Sequence, residues 1–379
     1  MKIGLVCPYN MARGGGVQEI VKEMRAGLTS LGHDVKIITG QPKIMNGMDT
    51  TGMIFVGTAT DYRSPSHTLA SFSMTVDMEA VEQMIEAEQF DILHFHEPWV
   101  PVLSRQLLSR SNSVNIATFH AQVPESFMSR TVARTFTPYL RSVLKDLHEL
   151  TAVSDASAEY VSGLTDRPIT LIPNGIDLEG YSHGVRRGVR SPKKILYVGR
   201  LEHRKGLKYL LQAYQLLSQD EEDVSLIIAG DGPDREKLQA LAEELQLRNV
   251  TFLGYVSHDL KLQLLAEADL FCSPAIFGES FGIVLLEAMA TGLVTIAGNN
   301  AGYSSVMQEL GAISLVNPRD TEEFARRLKL LLEETALRTL WQNWAKEYVQ
   351  QFDYVKIIKQ YDKLYKSALK EHGKKLVKS

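Results

Sequence analysis

Short apolar runs alternate along the chain with longer amphipathic stretches. Ile3 to Cys7 is an apolar run of buried-strand length, stopped by Pro8. Three glycines follow, Gly14 to Gly16. Val17 to Leu31 then carries Val17, Ile20, Val21, Met24 and Leu28 at the spacing of one helical face, and Gly32 closes it. Val35 to Thr39 reads as the next strand. Strand, helix and strand in that order form a βαβ unit, whose home is a parallel sheet covered by helices. Ile54 to Val56, Ile92 to Phe95, Ile116 to Phe119 and Leu150 to Val153 extend the series, each after enough chain for a crossover. A doubly wound α/β domain accounts for them.

The pattern then restarts. Lys194 to Val198, Ser225 to Ala229, Val250 to Leu253, Leu270 to Ser273, Val294 to Ala297 and Ile313 to Leu315 read as strands, with helices at Leu207 to Leu217 and Arg235 to Leu245. Between the two series, Gly180 to Pro192 is polar, glycine-containing and without periodicity, and reads as a linker. Two α/β domains are expected, 1–180 and 181–354, followed by a lysine-rich helical stretch, 355–379.

Composition narrows the class. The 379 residues suit two or three domains at about 150 residues each. Lys and Arg total 41 against 45 Asp and Glu, a net charge of −4, which argues against a nucleic-acid binder. That balance hides structure. From Val355 onward, Lys356, Lys359, Lys363, Lys366, Lys370, Lys374, Lys375 and Lys378 face only Asp362 and Glu371, leaving the rest of the chain acidic. Cys7 and Cys272 are too few for a disulfide framework or a cysteine metal cluster. No signal-peptide core and no run of about 18 apolar residues is present, so a cytoplasmic protein is expected.

Chemistry gathers at a few places. Gly14-Gly15-Gly16-Val17-Gln18 joins a first strand to a first helix, where glycines admit close backbone approach and a helix N-terminus attracts phosphate; the same residues also suit a plain tight turn. Arg200 and Lys205 follow the strand ending Tyr197-Val198-Gly199, at the carboxyl end where open α/β sheets bind ligands, and two cations there suit a diphosphate. Glu279-Ser280-Phe281-Gly282-Ile283 leads into an apolar helix holding Glu287, an acid that invites a partner. His120 ends a strand and faces its crevice. His94 and His96 share one face of another strand, where a packed structural role is the plainer reading. No zinc-ligand spacing or serine nucleophile elbow is seen. At 100° per residue, Arg130, Arg134, Arg141 and Lys145 form a stripe opposite Val132, Phe136, Tyr139, Leu140, Val143, Leu144 and Leu147. Such a stripe suits an anionic membrane surface or a core helix with a wet face.

These motifs, in this order, resemble the retaining glycosyltransferases of family 4, which have the two-domain GT-B fold. Glu279 to Glu287 looks like the family's paired-glutamate signature. Gly14 to Gln18, Arg200 with Lys205, Gly230-Asp231-Gly232-Pro233 and Pro173-Asn174-Gly175-Ile176-Asp177 support it. Cys7-Pro8-Tyr9, Leu93 to Pro98, Ala117 to His120 and Ala152 to Asp155 read like the phosphatidylinositol mannosyltransferases within that family. The resemblance implies two Rossmann-like domains facing a central cleft, an acceptor-side first domain and a nucleotide-sugar-binding second, with the C-terminal helix crossing back to the first.

It also implies roles. Arg200 and Lys205, with the backbone of Gly15 and Gly16, would bind the diphosphate of a GDP- or UDP-linked donor. Glu287 would hold its ribose, Val256 would meet its base, and Glu279 with Ser280, Phe281, Gly282 and Ile283 would contact the transferred sugar or phosphate. His120 would lie at the reacting centre. Tyr9, Gln18, His120 and Arg63 would serve a lipid or glycan acceptor, and the enzyme would sit peripherally on the inner face of the plasma membrane. No cofactor or metal is implied. Domain closure would exclude water, and attack from the leaving-group side would retain configuration. One departure concerns the acceptor. The mannosyltransferases carry a cation shortly after the His120 position, whereas Ala121-Gln122-Val123-Pro124-Glu125 carries none. Competing readings are a GT-B epimerase, a phosphorylase, for whose pyridoxal phosphate no motif is seen, and a non-catalytic nucleotide-sugar-binding protein.

Overall fold

Apolar runs become strands here because they are buried on both faces, as parallel strands between helices must be. A computed structural model of the chain describes all residues except 46, 64–68, 75–77, 122–129, 183–190, 221–222 and 377–379, and also omits the side chains of 60–63, 69–74, 130–136, 182, 220 and 374–376. Arg63, Arg130, Arg134, Lys374, Lys375 and Lys378 therefore lie outside the described side chains, as do Gln122 to Glu125 and most of the expected linker.

The chain forms two compact units, 1–175 with 354–379, and 176–353. The first holds β1 (Lys2–Val6), β2 (Asp34–Gln41), β3 (Met53–Arg63), β4 (Leu69–Met74), β5 (Ile92–His96), β6 (Val114–Phe119), β7 (Glu149–Ala152) and β8 (Thr170–Leu171). They form one sheet in the order β4-β3-β2-β1-β5-β6-β7-β8. All neighbours are parallel except β3 and β4, which pair antiparallel at the edge. The second unit holds β9 (Lys193–Val198), β10 (Val224–Ala229), β11 (Val250–Gly254), β12 (Leu270–Ser273), β13 (Thr295–Gly298) and β14 (Leu315–Val316). Their order is β11-β10-β9-β12-β13-β14, parallel throughout.

Several expectations are corrected. The units divide at 175/176 and 353/354, not 180/181 and 354/355, and Leu178–Ser182 is a short helix within the expected linker. The expected strand Ile313 to Leu315 is mostly a 3-10 helix, Glu309–Ser314, with only Leu315 and Val316 in the sheet. The β3–β4 hairpin had no clear signal, because Gly57, Thr58, Thr60 and Asp61 interrupt the apolar run. A strand pair at a sheet edge needs no buried apolar run.

The first helix, Gly16–Ser30, buries Ile20, Val21, Met24 and Leu28, the face its spacing predicts. The helix Tyr354–Leu376 belongs to the same unit and buries Ile357, Ile358, Tyr361, Tyr365 and Ala368. Gly27 lets it approach the first helix closely: a Cβ there would sit 2.7 Å from Ile358 Cγ1. Asp362 accepts from His33 at 2.9 Å, and Glu149 pairs with His372 at 3.1 Å. The exposed Lys356, Lys359, Lys363, Lys366 and Lys370 occupy its other face. The lysine-rich stretch is thus a packed helix through residue 376.

Candidate active site

Each sheet reverses strand order once, and polar side chains gather at both reversals. Loops at the carboxyl ends of the strands flanking a reversal diverge and leave room for a ligand.

In the second unit the reversal lies between β9 and β12. The loop after β9 carries Arg200 to Gly206, and the loop after β12 runs from Pro274 to Gly282. Gly206 takes a left-handed φ of 72° and has no room for a Cβ, which would strike the Pro274 carbonyl. The two loops are also tied by Ile276 N–H donating to Arg204 O at 2.8 Å. From the other side, Gly230-Asp231-Gly232-Pro233 buttresses the first loop: Leu201 N–H donates to Asp231 O at 3.0 Å, and Asp234 N–H to Leu201 O at 3.0 Å.

This packing assembles five charged groups. Lys205 Nζ lies 2.8 Å from Glu279 Oε1, and Arg204 pairs with the same carboxylate. Arg204 also meets Glu202 at 2.9 Å, and Arg200 meets Glu202 at 2.8 Å. Burial pushes the Glu279 carboxyl up, but Lys205 and Arg204 together hold it below the ordinary carboxylate range. Three cations against two carboxylates leave a surplus of one positive charge for an anion. Arg200 is the most exposed of the three, and its only ion pair among the described residues is with Glu202, so it can turn toward a ligand.

The helix Ile283–Ala290 starts beside this cluster. Its N-cap is Gly282, at φ 108°, and a Cβ there would press into the Tyr303 ring at 2.7 Å. No side chain caps the helix, so its first N–H groups remain available to an anion. Ser280 lies in the same loop, while Phe281 is buried and packs edge-on against Phe352. One turn into the helix, Glu287 Oε1 accepts from Tyr181 Oη at 2.6 Å and from Lys261 Nζ at 2.7 Å, leaving Oε2 outside both bonds. Val256 is half-buried in the loop after β11.

In the first unit the reversal lies between β1 and β5. Gly15 and Gly16 open the first helix, Gly15 as its N-cap without a side-chain cap bond. Gln18 Nε2 reaches back to Asn10 O at 3.4 Å. Tyr9 is half-buried, and burial together with the nearby Glu97 carboxyl pushes its phenol well above the ordinary value.

His94, His96 and His120 form a buried wall at this edge. His96 Nδ1 lies 2.8 Å from His120 Nε2, and the His94 and His96 rings are 4.4 Å apart. His94 is held by Tyr365 Oη at 2.6 Å and Thr118 Oγ1 at 2.7 Å. Burial pushes His94 and His120 down to about 3, so both rings are neutral at physiological pH. Glu97 sits at the end of β5 with a left-handed φ of 54°, and its Oε1 accepts from the backbone N–H of His120 at 2.6 Å and of Ala121 at 2.5 Å. Burial pushes its carboxyl up to about 8, against the lowering by those two bonds.

The structure therefore gathers Arg200, Lys205, Glu279, Ser280, Gly282 and Ile283 in one unit, and Tyr9 and His120 in the other. Sequence reasoning missed Arg204, Lys261 and Glu97 as site residues. Arg204 stood next to Lys205 and could have been included. Lys261 had no local signal, since its partner Glu287 lies on another helix. Of the stripe, Arg141 and Lys145 are exposed, and Leu140, Val143, Leu144 and Leu147 are buried opposite. No described helix is long and apolar enough to cross a membrane.

The pairing of two parallel-sheet Rossmann-like units is that of the GT-B glycosyltransferases. The Glycosyltransferase Family 4 model matches residues 14–180, and the Glycosyl transferases group 1 model matches 186–348. The phosphatidyl-myo-inositol mannosyltransferase of Mycobacterium tuberculosis is 30% identical, over 97% of both chains, and that of Mycolicibacterium smegmatis is 29% identical, over 97% of this chain and 94% of its own. Among solved structures, Anabaena HepE in complex with UDP and glucose has a TM-score of 0.77 at 20% identity, covering 97% of this chain and 100% of its own. Sucrose-phosphate synthase from Thermosynechococcus elongatus has a TM-score of 0.75 at 20% identity, covering 98% and 99%. The chain belongs to glycosyltransferase family 4.

Proposed function

We propose that this glycosyltransferase is a retaining hexosyltransferase, moving a hexose of mannose or glucose type from a nucleotide sugar to a hydroxyl of a lipid, phosphatidylinositol-like, or of a glycan. The carrying observation is the cluster Arg200, Arg204, Lys205 and Glu279 beside the uncapped N-terminus of Ile283–Ala290. A nucleoside diphosphate suits that surplus of positive charge. Lys205 and the arginines stabilise charge as it develops on the departing diphosphate, an electrostatic role. Glu279 orients Lys205 and accepts from sugar hydroxyls, and Glu287 Oε2 accepts from a ribose hydroxyl. His120 serves the acceptor side, with Tyr9, Gln18 and Arg63. The mannosyltransferases at 29–30% identity over nearly the whole chain support mannose and an inositol lipid.

A second acceptor reading has its own support. Ala121 to Glu125 contains no cation to meet a lipid phosphate, which favours a glycan hydroxyl without an adjacent phosphate. A peripheral position on the inner face of the plasma membrane goes with the lipid reading, through Arg141 and Lys145. The test is a donor panel of GDP-mannose, UDP-glucose, UDP-galactose and UDP-N-acetylglucosamine, read by thermal shift and hydrolysis. One donor should raise the melting temperature by mass action and release its nucleoside diphosphate. A chain that responds to none of the four is not the enzyme proposed. Transfer to phosphatidylinositol against a glycan then decides the acceptor.

A further inference from the structure

The hydroxyl and imidazole groups behind His120 carry enough bonds to assign their hydrogens one by one. Thr151 Oγ1 donates to Ala117 O at 2.9 Å. A hydroxyl has one hydrogen, so across the 2.5 Å contact between Thr118 and Thr151 it is Thr118 that donates. Thr118 Oγ1 then accepts from His94 Nε2, and the neutral His94 ring must accept at Nδ1 from Tyr365 Oη. His94 is thereby fixed as its Nε2–H tautomer, held by a tyrosine of the C-terminal helix.

His96 and His120 share one hydrogen across 2.8 Å. Two arrangements are possible for a pair of neutral rings. If His120 Nε2 carries the hydrogen, His96 must carry its own at Nε2, a fully buried atom with no partner among the described residues. A buried N–H without an acceptor is the costlier kind of unmet group. If His96 Nδ1 carries it, His96 Nε2 is only an unmet lone pair, and His120 holds its hydrogen at Nδ1. The buried Asn174 stands beside His120, close enough to favour the protonated ring although Nδ1 makes no bond of good geometry to it. Asn174 Oδ1, itself without a partner among the described residues, is the acceptor at hand for an Nδ1–H.

We infer that His96 is a positioning residue that fixes His120 as its neutral Nδ1–H tautomer, so that His120 does not act as a base in transfer. Its one lone pair points at His96. The role in transfer rests on the function proposed above; the tautomer does not.

The experiment is histidine 15N NMR on the full chain, with His120 assigned by His120→Gln and the wild type compared with His96→Asn and His96→Phe. Asparagine keeps an N–H near the Nδ1 position; phenylalanine keeps the ring and removes the donor. The wild type and His96→Asn should show His120 protonated at Nδ1 and bare at Nε2 near neutral pH. His96→Phe should lose that pattern and turn over about tenfold more slowly, the worth of one buried hydrogen bond, at unchanged donor KM. His120 protonated at Nε2 in the wild type overturns the inference. So does His96→Phe with wild-type tautomer and turnover. Should His96→Phe not fold, the wild-type spectrum and His96→Asn still decide. The expected tautomer in a protein that transfers no sugar would sink the proposed function and leave the tautomer standing.

Discussion

The two polar clusters are built on opposite electrostatic plans. In the second unit, Arg200, Arg204, Lys205, Glu202 and Glu279 are charged, ion-paired and partly open to solvent. In the first, His94, His96, His120, Thr118, Thr151, Tyr361 and Tyr365 are buried and joined largely by bonds between neutral groups. A site for a dianion can hold its cations ready only if carboxylates neutralise them beforehand, since unpaired buried charge is expensive. A cluster of neutral groups needs no such counter-charge. It can be dry and rigid, provided each hydroxyl and imidazole has its partner.

The largest effect expected from this contrast is in the charged cluster. Lys205→Ala should lower sugar transfer by about a hundredfold to a thousandfold, the worth of one group stabilising transition-state charge. Because Glu279 keeps Arg204, circular dichroism and the melting temperature should change little. Transfer near the wild-type rate would remove Lys205 from the site. Glu279→Ala should also abolish transfer, but it leaves Lys205 without its ion pair and Arg204 with Glu202 alone, so it should cost stability as well, and diphosphate should restore part of that loss.

The neutral cluster predicts a pH effect on stability of intermediate size. His94 and His120 titrate near 3 in the fold against 6.5 when exposed. Between those values the unfolded chain binds protons that the fold refuses, so stability falls as pH falls, by up to about 1.4 kcal/mol per pH unit for each group. Glu97 works in the other direction. Its folded value of about 8 lies above 4.5, so the fold binds the extra proton and stability falls as pH rises between the two. Glu97→Gln should flatten that upper limb in urea melts taken from pH 5 to 8 and leave the acid limb. An unchanged upper limb would mean that Glu97 is not the group responsible.

The smallest effect on transfer and stability belongs to the basic stripe. Reversing Arg130, Arg134 and Arg141 to Glu should abolish co-sedimentation with anionic vesicles, since three cations at about 1 kcal/mol each near the surface are worth about a hundredfold in affinity. Unchanged binding would separate the stripe from membrane association and return it to the role of a wet helix face.

Some of this was readable locally. Gly15 and Gly282 before their helices, the apolar face of Gly16–Ser30 and the start of the helix at Ile283 follow from spacing alone. The alternation of His94 and His96 placed both on one face. What escaped were partners distant in sequence. Glu287 meets Lys261 and Tyr181, Arg204 meets Glu279, and His94 meets Tyr365 across 271 positions. The antiparallel β3–β4 edge escaped for a different reason: an edge hairpin carries no obligatory apolar run.

By itself, then, the sequence determined two α/β series, their crossovers and the residue types at each strand end, because periodicity and turn chemistry act over a few residues. Only the tertiary structure decided which side chains of the lysine-rich end are buried, Ile357, Ile358, Tyr361, Tyr365 and Ala368. It alone decided which carboxylate holds Lys205 and which groups lie behind His120. Ion pairing and the hydrogen order of a buried network depend on burial and on groups brought within 3 Å by folding, and no local pattern encodes those distances.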